Sequence, residues 1–111
     1  MPKQLAELDR VFTALSDPTR RAVIERLGAG PTATTELARP FPMALPSFTE
    51  HLAVLERSGL VTSRKLGRVR TYALVPTPLE AAEHWMVVQR RTWERRLDQL
   101  DAYVRDLHER P

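Results

Sequence analysis

The sequence predicts a mainly α-helical fold with one small β-hairpin, and three observations carry that reading. Apolar residues recur at helical spacing through the first half of the chain. The stretch from Val61 to Leu74 alternates like a ribbon around a central glycine. From Leu79 onward a seven-residue apolar repeat runs almost to the C-terminus.

Leu5, Leu8, Phe12 and Leu15, with Val11 beside them, predict a first helix ending near Ser16. Asp17-Pro18 restarts the chain: aspartate caps free amides, and proline in a first turn loses no hydrogen bond. Ala22, Val23 and Leu27 form the buried stripe of the second helix, which Gly28 or Gly30 ends. Thr32 to Arg39 is read as a short third helix around Leu37, stopped by Pro40 and Pro42. The fourth helix has two readings. Ser47-Phe48-Thr49-Glu50 fits a capping box with Ser47 as N-cap, whereas Pro46 fits a first turn that begins near Ala44. In either case Phe48, Leu52 and Leu55 share one face, and Pro46, Thr49, Glu50 and Ala53 point away from it.

For the hairpin, Gly67-Arg68 is placed as a two-residue turn with glycine first, as a type II′ turn prefers. That register sets Val61 opposite Leu74, Ser63 opposite Tyr72 and Lys65 opposite Arg70. The apolar pair sits at the base. The two like charges near the tip repel, and an external anion would relieve them. After Pro76 and Pro78 the last helix is expected over about residues 78–109. Leu79, Met86, Trp93, Leu100 and Leu107 stand at seven-residue intervals, with Leu97 and Val104 between them. So small a domain cannot cover a helix of this length, and the remainder is read as a dimerisation surface.

At 111 residues the chain is expected to form one domain, residues 1–111. Chains this small often gain stability by associating. The net charge is only +3, but its placement is informative. Residues 1–59 carry seven basic and seven acidic side chains, and residues 76–111 six and seven. Residues 60–75 carry Arg64, Lys65, Arg68 and Arg70 with no acid. The absence of cysteine excludes disulfides, thiolate metal ligation and thiol redox sensing. No apolar run reaches transmembrane length and the N-terminus is unlike a signal peptide, so a soluble, cytoplasmic protein is expected.

The order helix, helix, short helix, helix, hairpin, long helix is that of a winged helix-turn-helix. The helix-turn-helix falls at about residues 32–58 and the wing at about 60–75. The run Val11-Phe12-Thr13-Ala14-Leu15-Ser16-Asp17-Pro18-Thr19-Arg20-Arg21 resembles the opening of ArsR/SmtB-type bacterial repressors. Further stations follow in order: Glu36-Leu37-Ala38, His51-Leu52, Val54-Leu55-Glu56 and Ser58-Gly59-Leu60-Val61. Gly67-Arg68-Val69-Arg70-Thr71-Tyr72 and Leu74 resemble the wing of that family. The match spans about residues 8 to 100. It implies a homodimer on a roughly palindromic double-stranded DNA operator, blocking transcription. The fourth helix is then expected in the major groove and the wing along the backbone or adjacent minor groove.

The chain departs from its resemblance in two places. Metal-sensing members often carry a Cys-x-Cys box on the helix that here holds Glu36-Leu37, and this chain has no cysteine. A second metal site of the family would fall on Ala82 and His84, with Arg95 and Asp98. Only His84 and Asp98 could ligate, so no metal or other cofactor is expected. The recognition helix is also short of positive charge, with Leu45 and Glu50 where relatives often have basic residues. Glutamate repels phosphate but accepts a hydrogen bond from a cytosine amino group, and Leu45 suits a thymine methyl.

The candidate DNA contacts are therefore Arg64, Lys65, Arg68 and Arg70 on the wing, which supply affinity through phosphates. Leu45, Pro46, Ser47, Thr49, Glu50 and His51 are the candidates on the recognition helix, where Ser47 and Glu50 have capping as a second reading. His51 has no obvious carboxylate to orient it. Arg20 and Arg21 either brace the interior, approach the DNA backbone or form solvated pairs with acids such as Glu25. The candidate dimer contacts are Leu5, Leu8, Phe12, Met86, Trp93, Leu97, Leu100, Val104 and Leu107. Trp85, Met86 and Trp93 also suit the lining of a pocket for an unknown small-molecule inducer, although the seam already accounts for Met86 and Trp93. Asp98, Asp101 and Arg105 read as helix-surface charge.

Enzymatic function is disfavoured: there is no Gly-rich phosphate loop, no cysteine nucleophile and no convincing His–carboxylate pair. The expected function is a homodimeric, sequence-specific DNA-binding regulator acting as a repressor. The alternative is a dimeric ligand-sensing or protein-interaction module with weak or lost DNA binding.

Overall fold

Local chemistry fixes where most of the helices start and stop in the computed structural model, which describes residues 3–110. Met1, Pro2 and Pro111 of the expected single domain lie outside the described residues. Helix α1 runs over Lys3–Leu15 and α2 over Pro18–Leu27. Asp17 caps α2 as anticipated: its carboxylate accepts the Arg20 amide at 3.0 Å, and Pro18 occupies the first turn. Val23 and Leu27 are buried in α2, while Ala22 is only half-buried.

The third element differs from expectation. Thr32–Ala33 is a short strand, β1, and helix α3 is confined to Thr34–Ala38. Strands β2 (Val61–Leu66) and β3 (Val69–Leu74) form the hairpin, and β1 joins its β3 edge in the order β1-β3-β2, all antiparallel. Thr32 stands opposite Tyr72 and Ala33 opposite Thr71, which ties the start of the helix-turn-helix to the base of the wing. A two-residue strand has too few side chains to show a period in sequence.

Helix α4 is Leu45–Arg57, with Ala44 as N-cap and Pro46 in the first turn, so the capping box at Ser47 does not form. The preceding loop explains the earlier start. Phe41 and Met43 turn into the core, and the Phe41 ring packs on Phe48 at a centroid distance of 5.1 Å. Ala44 is then the last extended residue before the helix. The far end is a Schellman close: the Gly59 amide donates to Glu56 O and the Leu60 amide to Leu55 O, both at 3.1 Å. Gly59 holds φ +80, a conformation other residues rarely adopt, and Leu55 and Leu60 are both buried beneath it. This turn hands the chain from α4 to β2 with a fixed geometry.

The hairpin adopts the register expected from its turn, Val61 opposite Leu74, Ser63 opposite Tyr72 and Lys65 opposite Arg70. Gly67 has φ +63 and Arg68 does not have positive φ, as a type II′ turn requires. Helix α5 spans Thr77–Glu109, within a residue of the expected bounds, with Pro78 in its first turn. At 33 residues it is about 50 Å long. It gives the protomer its 79 Å long axis.

Val11, Ala14, Val23, Leu27, Leu37, Phe48, Leu52, Leu55, Leu60, Val61, Tyr72 and Ala82 make one core, drawn from every helix and both strands of the hairpin. Burying each large aliphatic or aromatic member contributes about 1.5–3 kcal/mol. Leu52 is fully buried at the centre of the α4 face. Leu52→Ala is expected to lower the free energy of unfolding by about 2–5 kcal/mol, measured by urea denaturation at fixed protein concentration. A change smaller than a surface substitution gives would show that Leu52 does not fill this core.

Candidate nucleic-acid interface

The buried stripe of α4 decides which of its residues remain outside. Phe48, Leu52 and Leu55 are inside, so Leu45, Pro46, Ser47 and Glu50 are exposed and Thr49 is half-buried. The Thr49 hydroxyl donates to Pro46 O at 3.0 Å, one turn back. Glu50 is not isolated. Its carboxylate lies 3.5 Å from Arg57, two turns further along, and both side chains are largely in solvent. Such an exposed pair adds little stability, but it offsets the negative charge of Glu50. The seven-residue spacing was the available signal for this partner.

His51 is set apart from the other α4 candidates. It is half-buried and directed toward the α1–α2 junction. Its Nδ1 lies 3.1 Å from an Arg20 guanidinium nitrogen. Contrary to expectation a carboxylate is nearby: Asp17 Oδ2 is 3.7 Å from the same nitrogen, close enough for attraction but too far for a hydrogen bond. The sequence separation of more than thirty residues hid this neighbour.

Arg20 and Arg21 prove to be braces. Arg20 Nε donates to Ala14 O at 2.7 Å and Nη2 to Thr13 O at 3.1 Å, while Arg21 Nη1 donates to Leu15 O at 2.7 Å. The two guanidiniums thus bond to the last carbonyls of α1, of which Thr13 O also accepts from Ser16, and Arg20 also reaches α4. Burial alone would raise the Asp17 pKa, but the Arg20 amide and the nearby His51 and Arg20 charges outweigh it and hold the carboxyl below its ordinary value of 3.8.

The wing presents its cations freely. Arg64, Lys65 and Arg68 are exposed and make no side-chain hydrogen bond or ion pair among the described residues. Leu66 and Val69 flank the turn and are exposed too, Leu66 to 81%, an apolar tip that charge counting overlooked. Arg70 differs from the other three. Its Nη1 donates to Ser63 Oγ at 2.8 Å, and Ser63 Oγ donates to Glu56 Oε2 at 2.9 Å. Burial raises the pKa of Tyr72 at the ribbon base, and the Glu56 charge adds to that while Arg70 opposes it.

On the other side of the molecule, Met86, Trp93, Leu97, Leu100, Val104 and Leu107 are all exposed along α5, as are Leu5 and Phe12 on α1. Leu8 is half-buried and packs against the core. Trp85 meets the edge of Phe12 at a centroid distance of 5.8 Å, joining the two helices. A cleft bounded by Leu8, Val11, Arg57, Pro78, His84 and Trp85 lies between α1, the end of α4 and the start of α5. Among the described residues no three His, Cys, Asp or Glu side chains are grouped to hold a metal ion. His84 and Asp98 are about 21 Å apart along one continuous helix, so they do not form the pair a metal would need.

A family model described as a helix-turn-helix domain matches residues 15–64. The HTH-type transcriptional regulator Rv2034 of Mycobacterium tuberculosis is 49% identical over 73 residues, covering 66% of this chain and 68% of that protein. The transcriptional repressor SdpR of Bacillus subtilis is 31% identical over 80 residues, covering 72% of this chain and 89% of that protein. A solved structure of an ArsR family transcriptional regulator superposes with a TM-score of 0.79 at 49% identity, covering 85% of this chain and 97% of the other. The chain belongs to the ArsR family of transcriptional regulators. In this ArsR-family chain the fold is a winged helix-turn-helix, with α3 and α4 as the helix pair, β2 and β3 as the wing, and a long last helix.

Asp17 links the start of α2 in this regulator to the Arg20–His51 contact, so its loss has a defined signature. Asp17→Ala is expected to cost about 0.5–2 kcal/mol at neutral pH, the worth of an N-cap. Because the folded pKa is depressed, the contribution is complete above the ordinary carboxylate range and disappears as pH falls through the folded value. Thermal melts from pH 7 to pH 2 check this. The variant's deficit relative to the wild type should close at the acid end; a deficit independent of pH would overturn the assignment.

Proposed function

We propose that this chain is a homodimeric, sequence-specific DNA-binding repressor. Each protomer places α4 in the major groove of double-stranded operator DNA and lays its wing on the backbone or adjacent minor groove. The observation that carries the reading is the asymmetry of the wing: it holds four cations and no acid, directly after a helix whose outer face is kept open. Phosphate contacts from Arg64, Lys65 and Arg68 supply sequence-independent affinity. Leu45, Pro46, Ser47, Thr49 and Glu50 supply selection at base edges, with Glu50 suited to a cytosine amino group. His51, turned toward Asp17 and Arg20, holds the helix rather than reading bases.

Dimerisation uses the apolar faces of α1 and α5. Leu5, Phe12, Met86, Trp93, Leu97, Leu100, Val104 and Leu107 together form an exposed apolar surface that a soluble monomer rarely carries, and Leu8 extends it inward. The repressor activity of SdpR, a relative over most of its length, supports repression here. We assign no catalytic step, no metal and a cytoplasmic location; none of the described helices is long and apolar enough to cross a membrane.

Operator binding is tested with DNA from upstream of the chain's own gene against a scrambled duplex, each at two salt concentrations. Preference for the upstream DNA and a steep loss of affinity with salt are expected; equal affinity for both would sink the sequence-specific reading. Glu50→Ala is expected to change the ranking of operator variants at one position, by about 1–3 kcal/mol of discrimination, measured by competition binding. Uniform weakening on every sequence would remove Glu50 from base readout. Leu100→Asp, in the centre of the exposed seam, is expected to shift the protein to monomer in sedimentation analysis and to abolish operator binding.

A further inference from the structure

We propose that Arg70 is a positioning residue rather than a phosphate contact, a strut that fixes the wing's angle against the recognition helix. This rests on the DNA-binding reading of the wing, and it leaves Arg64, Lys65 and Arg68 as the cations that face phosphate.

Arg70 is the one wing cation held from several sides. Its guanidinium donates to Ser63 Oγ at 2.8 Å, and that hydroxyl spends its single proton on Glu56 Oε2 at 2.9 Å. The relay therefore has one direction, from cation through hydroxyl to carboxylate, with a formal charge at each end. Glu56 lies in the last turn of α4, Ser63 in β2 and Arg70 in β3, so three bonded side chains span the Schellman turn at Gly59. The backbone of Arg70 is held as well: the Thr34 hydroxyl at the start of α3 donates to Arg70 O at 2.9 Å. Both helices of the helix-turn-helix thus reach the wing at or through this one residue.

The register explains why Arg70 leans this way. It stands directly opposite Lys65, where like charges repel. Turning toward Ser63, which faces Tyr72 two positions closer to the base, moves its charge away from the tip and toward Glu56. The repulsion that first suggested an external anion is relieved internally. One of the four positive charges is offset by Glu56, and three remain unpaired among the described residues.

The two roles separate in the salt dependence of operator binding, measured by fluorescence anisotropy on the full chain. Arg68→Ala is expected to flatten the log–log slope by about 0.9 per protomer, the signature of one lost phosphate contact. Arg70→Ala is expected to keep the wild-type slope while losing affinity several-fold. Ser63→Ala, which cuts the relay without touching a charge, should lose affinity to the same extent. The double variant should be no weaker than either single one, since both break one connection. A slope decrease in Arg70→Ala equal to that in Arg68→Ala overturns the proposal. So does Ser63→Ala binding that equals or exceeds wild type, because a freed arginine that contacts phosphate would gain. Failure of the underlying reading looks different: Arg68→Ala would then leave the slope unchanged as well.

Discussion

The apolar stripe of α4 is the constraint on which the rest of the molecule depends. Phe48, Leu52 and Leu55 are fully buried against residues from α1, α2, α3 and both wing strands. Once they are inside, helical geometry leaves no freedom over which residues face out. The recognition surface is therefore set by the core rather than by any interaction on the surface itself. Polar contacts then secure it: Arg20 and His51 tie the middle of α4 to the α1–α2 junction, and the Schellman turn at Gly59 ends it. A helix that must insert into a groove gains from such rigidity, because less ordering is left to do on binding.

Charge is distributed on a different principle from packing. The helices are nearly neutral and lace their surfaces with short exposed pairs such as Arg39–Glu36, Arg90–Glu94 and Arg110–Asp106. The ribbon has no acid of its own and borrows one, Glu56, from the neighbouring helix. Division of labour follows: the helix offers hydrogen-bonding and apolar edges, with Glu50 offset by Arg57 and Glu56 turned to the ribbon, while the ribbon carries net field. On the proposed reading, long-range attraction and base discrimination then reside on separate elements, joined at their bases.

The parts of this architecture visible in the sequence were those governed by local rules. Asp17-Pro18 announced the start of α2, and Gly67-Arg68 fixed every pair of the hairpin, because cap and turn chemistry act over a few residues. The parts that stayed hidden depend on distant partners. Strand β1 exists because β3 offers it an edge some forty residues away, and Thr32-Ala33 alone shows no strand pattern. The start of α4 depends on Phe41 packing against Phe48, which overrode a well-formed capping-box signature at Ser47. Among the candidate site residues, the wing cations could be grouped from composition alone, but Arg70 could not be told from Arg68. The distinguishing contact comes from a carboxylate in another element. His51 likewise needed the folded chain to acquire its neighbours.

The uncovered seam of α5 has a consequence for dosage. A protomer that leaves Trp93, Leu97 and Leu100 in water is the less favourable state, and on the two-fold reading only the paired state grips DNA. Where single protomers predominate, the paired population grows with the square of total protein, so occupancy of a regulated site rises more steeply than linearly with abundance. A fall in synthesis or dilution by cell growth would then release the site sharply, without a ligand. The apolar residues along one helix would thereby convert a gradual change in protein level into a more abrupt change in transcription.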